Sequence, residues 1–249
     1  MAVLSIDTSA AVAVALVSDD GGRLAARSVD ERRRHAEQLA PMIEEVLAEA
    51  GLTRSDVTAV VAGTGPAPFT GLRVGLVTAR TLALALGVPV LGVPSLDALA
   101  VQAVADLGLA PDDEVLVVTD ARRREVYWAR YRVVAHEGPG GVPVVETLAG
   151  PAVGRPADVA AEQCAPAAER RAPAAGGRLV VVGEGAALYP DALDATEDAP
   201  TLLDPVVLAR LGLRRRADGQ DLPTEPLYLR RPDVHVPAAA AASIPRSSS

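Results

Sequence analysis

The segment Gly63–Gly75 joins an apolar strand pattern to a long helix pattern through a loop rich in glycine and proline. The run before it, 57–62, is apolar and β-branched, which indicates a buried strand. Thr70 is the predicted N-cap of a helix over 71–86, which Gly87 ends. A strand, a glycine loop and a helix N-terminus in this order offer free N–H groups to an anion. The same pattern also serves as a tight strand-to-helix turn with nothing bound.

Strand and helix patterns follow the order β-β-β-α-β-α in both halves of the chain. The first half has predicted strands at 2–6, 11–17, 23–29, 57–62 and 88–93, and helices at 37–50, 71–86 and 95–106. The second half has predicted strands at 114–119, 125–134, 142–148 and 179–182, and helices at 156–164 and 205–215. An aspartate, Asp7 or Asp120, ends the first strand of each half. The repetition predicts a duplicated α/β fold.

This duplication divides the chain into two expected lobes. Residues 1–106 form the first lobe and residues 107–221 the second, and we expect the segment 222–232 to pack on the first lobe. The stretch 165–177 is rich in Ala, Pro and Arg and is predicted as a mobile loop. The tail 234–249 consists largely of Ala, Pro and Ser, which bury too little apolar surface for folding, so we predict that it is disordered.

Composition restricts the chemistry of the 249 residues. A single cysteine, Cys164, excludes an internal disulfide and a multi-cysteine metal site. All 24 basic residues are arginines, which excludes a Walker-type P-loop and a Schiff-base lysine. The formal net charge of −8 argues against a broad nucleic-acid surface but not against a local patch. The sequence shows no membrane span and no signal peptide, so a cytoplasmic location is the default expectation.

Five motifs together resemble the TsaB family, in order and at family spacing over about residues 2–234. The motifs are Ile6–Ser9, Gly65–Gly75, Gly92–Leu99, Asp120–Tyr127 and Pro226–Arg230. One departure is Ala67-Pro68, where the family usually has Gly-Ser. Since proline has no amide hydrogen, this change removes one donor from the possible anion loop.

The resemblance implies the two-lobed fold of sugar kinases, actin and Hsp70-type ATPases. TsaB proteins are non-catalytic subunits of the bacterial assembly that makes threonylcarbamoyladenosine at position 37 of tRNAs reading codons that begin with A. The resemblance therefore implies the catalytic paralogue TsaD as partner and the ATPase TsaE as an associate through the complex. A homodimer is possible for the chain alone, and contact with tRNA would be only indirect. It implies no catalytic residue, metal or cofactor in this chain.

Kinases with this fold grip phosphates with two Asp-led turns and a glycine-rich adenosine segment. Asp7-Thr8-Ser9 fits the first turn, and Gly183–Ala186 partly resembles the adenosine segment. The second turn, Asp120–Arg124, has arginines in place of small residues. We expect inherited turns without a nucleotide function, with Asp7 bonding its own turn, and no ATP hydrolysis by the isolated chain.

TsaD-type paralogues hold their metal with a His-x-x-x-His pair just after the strand that matches 88–93. Here those positions are Ser95 and Leu99, which cannot serve as such ligands. Three histidines lie elsewhere without a partner at ligand spacing: His35, His136 and His235. We expect no tightly bound transition metal. A small-molecule kinase and a metal-dependent peptidase-like enzyme of the same fold remain alternatives, against which the arginines at 122–124 and the missing histidine pair count.

The predicted helix 71–86 carries very small residues at every fourth position, which allow another helix to approach closely. Helix 37–50 adds an apolar stripe. We predict a docking face for the catalytic paralogue, or for a second copy, that includes Leu39, Met42, Gly71, Gly75, Ala79 and Ala83. The same small residues also suit packing against the protein's own sheet, in which case Val74, Thr78 and Arg80 are candidates to face the partner.

Overall fold

The structure is a computed structural model that describes residues 1–30, 35–164 and 177–230, without the side chains of residues 35 and 36. The predicted tail 234–249 lies outside the described residues, as does nearly all of the predicted mobile loop at 165–177. The same holds for His235 and for the side chain of His35.

The first sheet has five strands in the order β3-β2-β1-β4-β5. Its strands are β1 (Ala2–Asp7), β2 (Val12–Ser18), β3 (Arg23–Val29), β4 (Val57–Gly63) and β5 (Val90–Val93). The first three form an antiparallel meander, and β4 and β5 extend it in parallel to β1. Every residue of β1 is buried, which requires cover on both faces of the sheet.

The second sheet repeats this topology with four strands in the order β8-β7-β6-β9. Its strands are β6 (Glu114–Asp120), β7 (Val126–Ala135), β8 (Val144–Gly154) and β9 (Leu179–Val182). β9 pairs in parallel with β6, as β4 does with β1. The duplicated two-sheet α/β fold is therefore confirmed, and the described second unit lacks only a counterpart of β5.

Six α-helices accompany the sheets within the described residues. They are α1 (His35–Glu49), α2 (Phe69–Leu86), α3 (Ser95–Asp106), α4 (Pro156–Gln163), α5 (Glu184–Leu188) and α6 (Pro205–Ala217). The predicted N-cap Thr70 is wrong, because α2 begins at Phe69 and Pro68 occupies the cap position. Proline fixes its own extended backbone there, so the helix begins at the next residue. No helix is predicted from the sequence at α5, whose five residues are too few for a helical period.

The two lobes share one hydrophobic core. Helices α3 and α6 lie between the sheets, and their apolar side chains form one cluster with residues of both. α6 belongs by sequence to the predicted second lobe, yet it contacts β1, β2, β4 and β5 of the first sheet. α1 and α2 cover the opposite face of that sheet in a separate cluster. The boundary at 106/107 stays a prediction, since the core continues across it.

The chain after α6 returns to the first lobe. The Gly92 N–H donates to the Leu222 carbonyl at 2.9 Å, and the Leu227 N–H donates to the Thr64 carbonyl at 2.9 Å. A side chain at Gly92 has no room, since its Cβ would lie 1.9 Å from the Pro223 carbonyl oxygen. Residues 222–230 thus lie along β5 and the loop after β4, whereas residues 231 and 232 lie outside the described residues.

Candidate functional site

Asp7 lies at the carboxyl end of β1, buried, where its carboxylate is held by three hydrogen bonds. Oδ1 accepts the Ser9 N–H at 2.9 Å and the Ser9 hydroxyl at 2.5 Å. Oδ2 accepts the Ser95 hydroxyl at 2.5 Å. The bonds to Ser9 are those of an Asx turn, so Asp7 does bond its own turn, as the sequence predicts.

Ser95 stands where the resemblance places the first histidine ligand of TsaD-type paralogues. Its hydroxyl donates to Asp7 and accepts the Gly65 N–H at 3.3 Å, while its own N–H donates to the Gly65 carbonyl at 2.8 Å. The space beside the carboxylate is closed, because a Cβ at Gly63 would lie 1.8 Å from Asp7 Oδ2. Leu99, at the second ligand position, is buried in the core between the sheets.

Thr8 connects the same turn to α2. Its hydroxyl donates to the Gly71 carbonyl at 2.8 Å and accepts the Gly75 N–H at 3.1 Å. A Cβ at Gly75 would lie 2.3 Å from the Thr8 hydroxyl oxygen. Because Gly75 has no side chain, α2 can lie close to the turn that contains Thr8.

This contact corrects the predicted docking residues. The structure buries five of the six in the protein's own core, namely Leu39, Met42, Gly75, Ala79 and Ala83. Gly71 is half-buried, and its carbonyl is bonded to Thr8. The physical reason is that a row of small residues permits close approach on whichever side the helix presents it, and here that side is the first sheet.

In the glycine loop before α2, backbone N–H groups donate to neighbouring residues of the protein itself. The Thr64 N–H bonds to the Val93 carbonyl at 2.9 Å, and the Gly65 N–H bonds to Ser95. Pro66 and Pro68 have no amide hydrogen. This arrangement matches the tight strand-to-helix turn better than the anion loop.

The second Asp-led turn joins β6 to β7 and has an unusual backbone. Arg122, Arg123 and Arg124 have φ angles of 63°, 56° and 62°, so three consecutive arginines lie in the left-handed region. Asp120 Oδ1 accepts the Arg122 N–H at 2.8 Å, and Oδ2 lies 3.1 Å from the Arg122 guanidinium. Sequence reasoning missed this conformation, since arginine carries no signal for a positive φ.

An interlobe cleft of about 320 Å³ opens beside this turn. The interlobe cleft is lined by Ala67, Pro68, Phe69, Ala121, Arg122, Arg123, Tyr127, Tyr228, Leu229 and Arg230. Burial, and secondarily the charge of Asp120, raise the pKa of Tyr127. Arg230 forms an ion pair with Glu125 and donates to the Ala121 carbonyl at 3.2 Å. The sequence showed these residues only as separate motifs, because the lobes bring them together.

The outer face of α2 is exposed and carries three large apolar side chains beside Arg73 and Arg80. Phe69, Val77 and Leu84 have exposed fractions of 36%, 60% and 83%. The Arg73 guanidinium lies 3.5 Å from the centre of the Phe69 ring and bonds to the Tyr228 hydroxyl at 2.8 Å. Among the described helices, α2 is long and apolar enough to cross a membrane by length and composition alone. Its other face, however, packs on β4 and β1.

Side chains suited to a metal do not converge in the described part of the chain. No group of three His, Cys, Asp or Glu residues there has a geometry that holds an ion. The ring of His136 instead lies 3.0 Å from the Leu109 carbonyl oxygen, a contact made through Nδ1. The carboxylate best placed by the fold, Asp7, already has hydrogen-bond partners on both oxygens.

Comparison with known proteins places this geometry in a family. Residues 29–214 match the family model of TsaD, tRNA N6-adenosine threonylcarbamoyltransferase. The uncharacterized protein Rv3421c of Mycobacterium tuberculosis is 42% identical over 238 residues, covering 93% of each chain. ML0378 of Mycobacterium leprae is 41% identical over 93% of this chain, which spans only 55% of that protein.

Proteins with more specific names match as well. The tRNA threonylcarbamoyladenosine biosynthesis protein TsaB of Escherichia coli is 38% identical over 133 residues, covering 53% of this chain and 55% of that protein. YeaZ from Pseudomonas aeruginosa superimposes with a TM-score of 0.71 at 31% identity, covering 92% of this chain and 99% of that one. The chain therefore belongs to the TsaD family, as a TsaB/YeaZ-like member.

Proposed function

We propose that this chain takes part in the biosynthesis of threonylcarbamoyladenosine in tRNA as a non-catalytic scaffold subunit. It binds and supports the catalytic TsaD subunit, which transfers the threonylcarbamoyl group to adenosine 37 of tRNAs reading codons that begin with A. The names of its relatives in Escherichia coli and Bacillus subtilis support the pathway. The site geometry supports the division of labour between the two subunits.

The observation that carries this proposal is the bond from the Ser95 hydroxyl to Asp7 Oδ2. The resemblance places a histidine metal ligand at this position in TsaD-type paralogues. Serine instead ties the carboxylate to the glycine loop, so that the same residues hold the fold together. Because Asp7 is nearly fully buried and bonded through both oxygens, it is poorly placed to contact a phosphate.

The docking face in this proposal is the outer side of α2, formed by Phe69, Arg73, Val77 and Leu84. These positions recur at intervals of four and seven residues, so they share one face of the helix. Apolar side chains on an exposed helix face gain free energy when a partner covers them. We propose that TsaD occupies this face, that a second copy occupies it when TsaD is absent, and that TsaE joins through the complex.

Affinity purification of the tagged full chain from its native cell tests the proposal. We expect the catalytic TsaD subunit, a chain distinct from this one, to co-elute with the wild-type chain. Leu84→Arg replaces the most exposed apolar side chain of the docking face with a charge and should reduce the recovered partner by about tenfold or more, because burial of an unpaired charge is unfavourable. Leu84 is exposed, so the variant should fold normally by circular dichroism.

Leu24→Arg is the matched control. Leu24 lies on the edge strand β3, is 40% exposed and is not part of the docking face. It should retain the partner at the wild-type level. The scaffold proposal fails if the catalytic TsaD subunit does not co-elute, and the assignment of the docking face to α2 fails if Leu84→Arg and Leu24→Arg retain the same amount of that subunit.

A further inference from the structure

The docking face carries positive charge that no carboxylate on the same helix balances. Arg73 and Arg80 are the two charged residues of α2, and both are exposed. They are seven residues apart, so they lie on the same side of the helix. Among the described residues, Arg80 has one ion pair, with Glu225 at 4.0 Å, and Arg73 has none. A partner that covers this face therefore meets apolar side chains and two guanidinium groups.

Arg73 is held in place by two aromatic rings. Its guanidinium carbon lies 3.5 Å from the centre of the Phe69 ring and 5.7 Å from that of the Tyr228 ring. Its Nε donates to the Tyr228 hydroxyl at 2.8 Å, and no acceptor in the described part of the chain is bonded to its Nη groups. Because the guanidinium is already fixed on the rings, little entropy is lost when it binds a carboxylate.

Arg80 is fixed by the segment that returns to the first lobe. Its Nε donates to the Thr224 hydroxyl at 2.8 Å, and one of its Nη groups donates to the Thr224 carbonyl at 2.6 Å. The segment 222–230 thus bonds to both arginines of α2, through Thr224 and Tyr228. The two positive charges of the docking face therefore occupy defined positions.

A second copy of the chain would place like charges together on this face. In an antiparallel twofold pairing that covers the whole face, the Phe69 end of one helix meets the Leu84 end of the other. Arg73 and Arg80 each lie four residues from their end of the face, so Arg73 of one copy faces Arg80 of the other. A parallel pairing sets each arginine against its own counterpart, with the helix dipoles also unfavourably aligned. Like charges oppose association in both arrangements.

We infer that this charge pattern selects the occupant of the docking face: TsaD, through carboxylates opposite Arg73 and Arg80, in preference to a second copy. The inference rests on the proposed function and adds to it the chemistry of the partner surface. A carboxylate accepts two parallel hydrogen bonds from a guanidinium group, whereas a second copy offers another arginine. Specificity of this kind combines attraction of the correct partner with repulsion of the wrong one.

Self-association of the purified full chain tests the pattern without any partner. Sedimentation velocity at about 50 mM salt measures the dissociation constant of the dimer. Arg73→Glu should tighten the dimer about tenfold, because the new carboxylate faces Arg80 of the second copy. Arg73→Glu combined with Arg80→Glu should lose this gain, because carboxylate then faces carboxylate. The gain should also shrink at about 1 M salt, which screens charges more than ~3 Å apart.

Arg216→Glu is the matched control. It makes the same change of charge on an exposed arginine of α6, a helix that packs on the opposite face of the first sheet from α2. Its dimer should dissociate as that of the wild type does. A tightening as strong as that of Arg73→Glu would mean that the overall charge of the chain governs self-association, which would overturn the inference.

Co-purification with TsaD supplies the second readout. Arg73→Glu should reduce the recovered TsaD about tenfold while it tightens the dimer, whereas damage to the fold would weaken both contacts. The inference is overturned if Arg73→Glu leaves either the dimer or the recovery of TsaD unchanged, or if the double variant keeps the tighter dimer. If the wild-type chain recovers no TsaD, the scaffold proposal fails, and self-association still decides whether the arginines oppose a second copy.

Discussion

The two Asp-led turns start from the same hydrogen bond and then diverge. In each, the aspartate at the end of the first strand accepts the N–H of the second residue after it, Ser9 for Asp7 and Arg122 for Asp120. The second oxygen of Asp7 bonds to the buried Ser95 hydroxyl, whereas that of Asp120 pairs with a half-exposed guanidinium. One turn has become part of the core, while the other presents charge to solvent.

The difference between the two turns shows which of them the fold depends on. The first turn fixes α2 through Thr8, so it positions the proposed docking helix. The second turn fixes no long helix, since the helix after β9 has only five residues. Duplication therefore supplied two equivalent turns, of which one supports packing and the other is available for a new contact.

The largest expected effect is at Gly75, where the first turn meets α2. Gly75→Arg should leave no stable fold, because the new side chain overlaps Thr8 and buries a charge, at a cost of about 4 kcal/mol or more. Val77→Arg, two residues later on the exposed face, should fold normally. Circular dichroism and thermal melting compare the two variants. A folded Gly75→Arg would restore the prediction that the very small residues at every fourth position of α2 face a partner.

An effect of intermediate size is expected from substituting a threonine beside each of the two aspartates. Thr8→Val removes the two hydrogen bonds that join the first turn to α2, so the free energy of unfolding should fall by about 1–3 kcal/mol. Thr119→Val, next to the second aspartate, should be neutral or stabilising because the Thr119 hydroxyl is buried without a partner. Denaturant titration measures both. An equal loss of unfolding free energy in the two variants would show that both threonine hydroxyls stabilise the fold to the same extent, which would contradict this comparison.

Arg124→Gly tests the strain in the second turn. Glycine adopts a positive φ without penalty, so the free energy of unfolding should rise by about 1 kcal/mol, less some loss to unfolded-chain entropy. Arg54→Gly, in a short helical turn, should not stabilise. Denaturant titration again decides, and a destabilised Arg124→Gly would mean that the arginine side chain holds the turn.

The smallest effect concerns the ionisation of Tyr127. Burial first and the Asp120 charge second raise the pKa of Tyr127 above its ordinary value of 10.0. Since the folded-state pKa exceeds the unfolded one, stability is fully present below pH 10 and falls as the pH rises further. Asp120→Asn should lower the pKa of Tyr127, and Asp7→Asn should leave it unchanged. Ultraviolet titration, with Tyr127→Phe as the reference, measures the pKa of Tyr127 in both variants. An equal change in Asp120→Asn and Asp7→Asn would show that Asp120 has no special influence on Tyr127.

Much of the fold could be predicted because its signals are local. Alternating and continuous apolar runs marked the strands, and helical periodicity marked α1 to α3. The Asx turn at Asp7 followed from residue type alone. Thr70 failed as a cap because Pro68 ends the loop earlier. The exposed side of α2, which we propose as the docking face, could not be predicted, since apolar residues occur all around the helix and only the packed sheet distinguishes the two sides.

The site features that escaped prediction depend on contacts distant in sequence. Ser95 was recognised as an unsuitable metal ligand, but its bond to Asp7 spans 88 residues. The interlobe cleft assembles three separate motifs whose proximity is set by the two sheets and by residues 222–230. The left-handed arginines left no trace in the sequence, because their conformation is imposed by the closed hairpin between β6 and β7.

Reconstitution of tRNA modification with purified subunits tests the scaffold account most directly. Threonylcarbamoyladenosine is measured by mass spectrometry with TsaD and the other components present, and with either the wild-type chain, Asp7→Asn or Leu84→Arg added. If the chain supports TsaD by docking, folded Asp7→Asn should sustain modification and folded Leu84→Arg should not. Loss of modification with folded Asp7→Asn, together with full modification by Leu84→Arg, would contradict the account and assign chemistry to Asp7.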